Sequence, residues 1–304
     1  MMLSGTIRVG ILIAACASVA AAQTPEDGLF LAKKSLDVGL LYSHDSWNEY
    51  WEGSLKRSND NIGTMTTNAM TFVAGYGLRE RLSVIATLPY VWTRTSQGSL
   101  HSMSGLQDLT LVAKYRLATT PFTQHALLSA IVVGAAGMPA SNYTPDFQPL
   151  SIGSASRRVS SRLTLNLQSD SWWFVNTSGG YTWRRNVRLD RNAYFTSGQL
   201  FLTNEVEMPD VVDYTASTGY RRGRLYIPVV LMQQRTLGGG DIRRQDMPFV
   251  SNRMDFVKLG GSLMYGFRVP EHAVLQLGTM RTLSGRNVGQ STCYTAGLMY
   301  TFQH

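Results

Sequence analysis

The chain has 304 residues, of which 16% are charged, with 28 glycines, 14 tyrosines and 6 tryptophans. Soluble domains carry about a quarter charged residues, so few charges with many glycines and aromatics fit a barrel with a lipid-facing outer surface and aromatic rims; a soluble β-sandwich could share the glycine and tyrosine content. The formal net charge is +8, but its Lys and Arg are scattered without a run of five, which argues against a nucleic-acid patch.

Arg8 precedes an apolar run from Val9 to Ala22, and Ala20-Ala21-Ala22 before Gln23 offers small residues for cleavage. This is the pattern of a secretory signal over 1–22, leaving 23–304 as the folded domain. The run is too short for a spanning helix, and no other stretch approaches eighteen apolar residues. Cys16 after Ile13-Ala14-Ala15 has a superficial likeness to a lipoprotein processing site, although the apolar core before it would be very short. Only Cys293 then remains in 23–304, so no intramolecular disulfide is expected and the fold alone must hold the chain.

Gln23 to Lys33 reads as a short polar leader. From there the chain alternates apolar and small or polar residues with period two, which is the strand period because successive side chains leave opposite faces of the pleat. Leu36, Val38, Leu40 and Tyr42 mark strand one. Met70, Phe72, Ala74 and Tyr76 mark strand two, and Leu78-Arg79-Glu80-Arg81 turns into strand three with Leu82, Val84, Ala86, Leu88 and Tyr90 on one face. Strand four sets Leu109, Leu111, Ala113 and Tyr115 opposite Asp108, Thr110, Lys114 and Arg116, and Pro121 falls in the turn that follows. Strand five runs from Ala126 to Gly137.

Strand six opposes Leu163, Leu165 and Leu167 to Arg162, Thr164, Asn166 and Gln168. Strand seven opposes Trp173, Val175, Tyr181 and Trp183 to Asn176, Ser178, Thr182 and Arg184. Strand eight carries Val212, Tyr214, Ala216 and Tyr220 on its apolar face. Strand nine, Leu225 to Gln233, has no clear register. Strand ten opposes Val257, Leu259, Leu263 and Tyr265 to Lys258, Gly260 and Ser262. Strand eleven spans Ala273 to Leu283, and strand twelve ends the chain with Tyr294, Ala296, Leu298, Tyr300 and Phe302 on one face.

The connections alternate long and short along the whole chain, and strands of about ten residues exceed the usual five or six. Both features predict an all-β fold: a transmembrane antiparallel up-and-down barrel of about twelve strands, with short periplasmic turns and long extracellular loops. Uncertain boundaries leave ten and fourteen strands as alternatives. The expected location is the bacterial outer membrane.

Tyr76-Gly77-Leu78, Arg81-Leu82-Ser83 and Leu88-Pro89-Tyr90, followed by Gly105-Leu106-Gln107-Asp108-Leu109 and Lys114-Tyr115-Arg116, resemble a hairpin and glycine-aspartate strand of the MetA-pathway of phenol degradation family. The likeness is closest over 66–117 and continues loosely to the end of the chain. It implies an outer-membrane transporter associated with aromatic catabolism, without fixing a substrate. The last strand also resembles the signal read by the barrel-assembly machinery, although Gln303 and His304 follow its final aromatic.

Charged residues on a strand face lipid only at a cost of roughly 2–4 kcal/mol at mid-depth. Asp108, Lys114, Arg116, Arg162, Asn166, Gln168, Arg184 and Lys258 are therefore expected to line the lumen, either as a salt-bridge network that fills it or as a basic, anion-favouring selectivity lining. The expectation is a channel passing small solutes, apolar or aromatic ones among them, with outer-membrane lipid and the solute as partners and no cofactor, metal or nucleic acid. One competing reading is a lipid hydrolase built on His44 and Ser46, which share a strand face. The other is a non-conducting structural or adhesive barrel. No catalytic set beyond that pair is apparent.

Overall fold

The computed structural model describes residues 23–243 and 248–303; the signal expected over 1–22, with its Cys16, and the terminal His304 lie outside them. Twelve long strands follow in chain order: β1 (Leu36–Trp47), β2 (Met65–Arg79), β3 (Leu82–Thr95), β4 (Asp108–Thr123), β5 (Ala126–Pro139), β6 (Arg158–Ser169), β7 (Trp173–Arg184), β8 (Val211–Arg222), β9 (Leu225–Thr236), β10 (Asp255–Gly266), β11 (Ala273–Arg286) and β12 (Thr292–Phe302). Each pairs antiparallel with its neighbours in sequence. β1 also pairs with β12, so that Leu40 lies between Phe72 and Leu298 and the sheet closes on itself. Closure removes the sheet edge that a bilayer cannot tolerate.

The register carries one parity of every strand outwards. On β1, Leu40 is 48% exposed while Asp37 is 2% exposed, and the same alternation passes from strand to strand because directly opposed residues share a face. The outer face is thus Leu, Val, Ala and aromatic rings. Tyr42, Tyr90 and Trp92 cluster near the long-loop end, whereas Trp173 with Tyr220 and Tyr300 with Phe302 cluster near the short-turn end. These are the two aromatic girdles of a membrane barrel. The turns at one end are as short as Glu80-Arg81 and Gly223-Arg224, while the other end carries the segments 48–64, 96–107, 140–157, 185–210, 237–254 and 287–291.

Three local expectations change. β9 has a definite register, Tyr214 opposite Gln233 and Ser217 opposite Val230, which sends Tyr226 and Met232 inwards. β4 does not stop before Pro121. It runs to Thr123, with register shifts near Ala118 and Pro121 that absorb the missing donor, as irregular pairing commonly does for proline.

The third change is the largest. Residues 23–35 are no solvated leader but a strap folded into the barrel, with Leu29, Leu31, Asp27 and Ser35 all buried. The strap leaves β1 antiparallel to β2, Lys34 N donating to Gly77 O at 2.7 Å and Gly77 N to Ser35 O at 3.0 Å. It passes so close to β2 that a Cβ on Gly77 would overlap the carbonyl of Ala32. Gly77→Val should therefore expel the strap while leaving the outer wall intact. Trypsin cleavage at Lys33 or Lys34 should accelerate by roughly tenfold or more, given that overpacking typically costs 1–3 kcal/mol, with the folded barrel's electrophoretic mobility retained. Unchanged cleavage would show that the strap is held elsewhere.

Candidate functional site: a plugged lumen

The strap is anchored at mid-lumen by charge. Lys114, on the inward parity of β4, has no solvent exposure; its Nζ donates to Asp27 Oδ1 at 2.5 Å and to the Thr24 carbonyl at 2.8 Å. Asp27 in turn accepts from Thr24 N and Leu29 N, which holds the strap in a tight bend. A buried cation needs such partners, because leaving it unpaired costs several kcal/mol. Glu26 lies 3.6 Å from Arg162, whose guanidinium also bonds Asp213 on β8 and Ser178 on β7.

Two apolar residues of the strap face different parts of the wall. Leu29 completes a cluster with Phe174, Tyr226, Met264, Val274 and Met299, in which Phe174 and Tyr226 stack at 5.0 Å. Phe30 packs against Ile85, Val112, Ile131 and Val133, and the Arg116 guanidinium sits 4.2 Å over its ring. Burying a Leu or Phe side chain contributes about 1.5–3 kcal/mol. The strap is thus held in the lumen by burial and by paired charge together.

The remaining residues expected in the lumen are placed as follows. Asp108 bonds Arg158 and accepts from Tyr143 Oη at 2.6 Å. Asn166 donates to Asn176 at 2.7 Å, which continues to Ser217 on β8. Gln168 bonds backbone carbonyls near the short-turn end. Lys258 lies 4.8 Å from the Phe256 ring, and the Arg184 backbone N–H donates to Asp210. Within this group the strap brings Lys114, Arg116 and Arg162 together; it does not bring Arg184 or Lys258 to it.

Sequence reasoning missed the acidic half of the network: Glu26, Asp27 and Asp213. Asp213 occupies the inward parity of β8, so the strand pattern already placed it. Asp27 carries no periodic signal. The surplus of inward cations over inward anions was the available hint, since those charges need partners.

The outer mouth is covered too. A ribbon of Glu49–Glu52 with Leu55–Ser58 folds back so that Trp51 N donates to Val288 O at 2.9 Å. The segment 140–157 buries Leu150 and Ile152, with Thr93 Oγ1 donating to Leu150 O at 2.6 Å. Burial and the adjacent Asp108 carboxylate raise the Tyr143 phenol above its ordinary range, keeping it a proton donor.

The pair proposed for hydrolysis faces outwards. His44 Nδ1 lies 2.8 Å from Asn68 Oδ1, which also accepts from Tyr42 Oη. Ser46 shares that face, but among the described residues no hydrogen bond joins it to His44. A nucleophile and base in working contact are therefore not assembled.

Two outcomes follow from the strap's anchors. Lys114→Met should loosen it by about 3–5 kcal/mol, the usual effect of breaking a buried ion pair from one side. Asp27→Asn combined with Lys114→Met should cost clearly less than the sum of the two singles, as read from hydrogen exchange of the amides of residues 24–31. Strict additivity would show that the pair is not the anchor. The second outcome concerns pH. Burial pushes the Glu26 carboxyl above its ordinary 4.5, against the opposing pull of Arg162. A raised carboxyl favours the docked strap in its protonated form, so that contribution is complete below about pH 4.5 and is lost as pH rises through the raised value. Protection of the amides of residues 24–31 in the reconstituted barrel should be greater at pH 5 than at pH 7 after correction for intrinsic exchange, and Glu26→Gln should flatten the difference; a pH effect equally large in that variant would assign it to other groups.

No family model matches the chain, and no curated protein matches it. Among solved structures, the COG4313 outer membrane channel from Pseudomonas putida F1 is similar at 18% identity with a TM-score of 0.70, covering 91% of this chain and 98% of that one. The translocator domain of the autotransporter NalP from Neisseria meningitidis aligns at 11% identity with a TM-score of 0.46, covering 90% of each chain. The first likeness is one of fold: this chain is a closed twelve-stranded barrel built in the manner of an outer-membrane channel.

Proposed function

We propose that the protein is an outer-membrane channel that passes small solutes, apolar and aromatic ones by preference, when the strap of residues 23–35 shifts within the lumen. The observation that carries the reading is the seat of Leu29. Withdrawing that side chain would leave an apolar seat of Phe174, Tyr226, Met264, Val274 and Met299 inside the barrel, where a wide porin has water. A wall of Ile85, Val112, Ile131 and Val133 would open beside it where Phe30 now packs. Surfaces of this kind favour apolar solutes by burial and offer little to sugars or ions.

The solved channel of the same fold supports the reading, as does the motif resemblance to the MetA-pathway of phenol degradation family. In this reading the basic residues Lys114, Arg116 and Arg162 act mainly as anchors of the strap and only secondarily as an anion-favouring lining. Outer-membrane lipid surrounds the apolar face, and the aromatic-ended β12 meets the assembly machinery.

Deleting residues 24–34 from the folded domain tests it. In planar bilayers the intact barrel should give small or infrequent steps, and the deleted barrel larger and steadier ones. In liposome uptake the intact barrel should admit a small aromatic several-fold faster than a sugar of similar size. A deleted barrel that remains silent would overturn the channel in favour of a structural or adhesive barrel.

A further inference from the structure

Beyond the lumen, the long-loop end holds a half-open cavity of about 360 Å³. Its walls are mostly apolar and drawn from separate segments: Trp47 and Tyr50 from the end of β1 and the ribbon after it, Ile62 before β2, Pro149 from 140–157, Met254 before β10 and Val288 before β12. The Trp47 and Tyr50 rings lie 6.2 Å apart at 54°, a spacing and tilt that suit an aromatic cluster able to take a further ring. Cavities of about 150 Å³ already hold benzene, so this one has room for a ring with its substituents.

The cavity is held in shape. Asn287, in the left-handed region at φ 55°, is 3% exposed. Its side chain accepts from Gly53 N at 2.8 Å and Ile242 N at 2.9 Å, and it donates to Asp241 and to the Arg253 carbonyl. One side chain thus ties together three of the segments that surround the cavity. Arg286 secures the same Asp241 through two further bonds. A pocket whose walls are cross-braced before any ligand arrives loses little ordering entropy on binding.

Its polar groups sit among these walls with donors to spare. Arg243 gives Nη2 to the Ser197 carbonyl and has no acidic partner among the described residues. Gln148 uses one hydrogen of its amide nitrogen on the Pro145 carbonyl, which leaves the second amide hydrogen to donate. Asn61 lines the cavity with no side-chain partner among the described residues. One oxygen substituent on a ligand could take a hydrogen bond from these donors, which a purely apolar ligand could not.

We propose that this vestibule is a capture site on the outer face for a single-ring aromatic molecule carrying an oxygen substituent, which it concentrates above the lumen. The proposal deepens the channel reading and rests on it for its role, but the binding itself can be measured without transport.

The full barrel, in detergent-free nanodiscs, would be titrated with benzyl alcohol, toluene, benzoate and glucose, reading both heat and tryptophan fluorescence. Benzyl alcohol should bind saturably with quenching of Trp47, toluene at least threefold more weakly, and glucose without saturation. Benzoate binding tighter than benzyl alcohol would support the proposal and assign the oxygen contact to Arg243. Val288→Phe should fill the cavity and weaken benzyl alcohol at least tenfold; Met254→Phe on a different segment serves if that variant does not form a barrel. Arg243→Gln should narrow the gap between benzyl alcohol and toluene. Absence of saturable binding by any aromatic probe would overturn the site, as would binding that both filling variants leave unchanged. If binding holds while liposome flux fails, the channel reading falls and the site stands. If flux holds while binding fails, the site falls alone.

Discussion

Every backbone N–H and C=O at bilayer depth must be hydrogen-bonded within the protein, because hydrocarbon offers no partner. That constraint settles most of this molecule. It requires β1 to find β12 as well as β2, which fixes the register of the whole ladder, and the register fixes the parity of every side chain. A slip of one residue would turn Lys114 towards lipid and Tyr115 towards the lumen. The apolar outer face and the charged inner face are therefore one arrangement, and the lumen's chemistry is dictated by the closure of the wall.

Closure creates a second problem, since a ring of twelve strands is too wide for its own side chains to fill and narrower than the wide porins. Here the gap is filled by chain. The strap sets Leu29 and Phe30 against apolar parts of the wall and meets the inward cations with Glu26 and Asp27. Such a filling differs from a hydrophobic core in one respect. Its charged contacts are costly to break singly but can be exchanged for water if the whole strap withdraws, because the groups would then be rehydrated together. A strap held in this way favours two states, seated or withdrawn, over a gradual loosening.

How legible this was in the sequence depends on periodicity. Most of the strands repeat with period two, and their apolar parity could be read wherever alternation was clean, as on β4 and β6. It failed on β9, where Ile227, Val229, Val230 and Leu231 are apolar on both parities and Pro228 interrupts the pattern. It failed more completely on 23–35, because a segment without regular structure leaves no period to detect; Gly28 pressed against Asn166, or Asp27 against Lys114, are contacts between distant parts of the chain. The outer vestibule was illegible for the same reason. Its walls come from loops, and only folding brings Trp47 and Val288 to one cavity.

Taken from outside to inside, the barrel presents an apolar vestibule, then a belt of charge and then an apolar seat. The belt comprises Asp108 with Arg158 and Arg162 with Asp213, pairs made within the wall that stay in place if the strap withdraws. Such a sequence treats solutes unequally. In the proposed channel an ion would meet pairs that already neutralise one another, and so would find little electrostatic reward there for losing its hydration. A sugar gains hydrogen bonds at the belt but nothing in the apolar layers on either side. In the proposed channel a ring with one polar group would be favoured by burial in the outer and inner layers and would hydrogen-bond to the belt between them. Under the proposed function the layering would therefore select by the balance of apolar surface to polar groups.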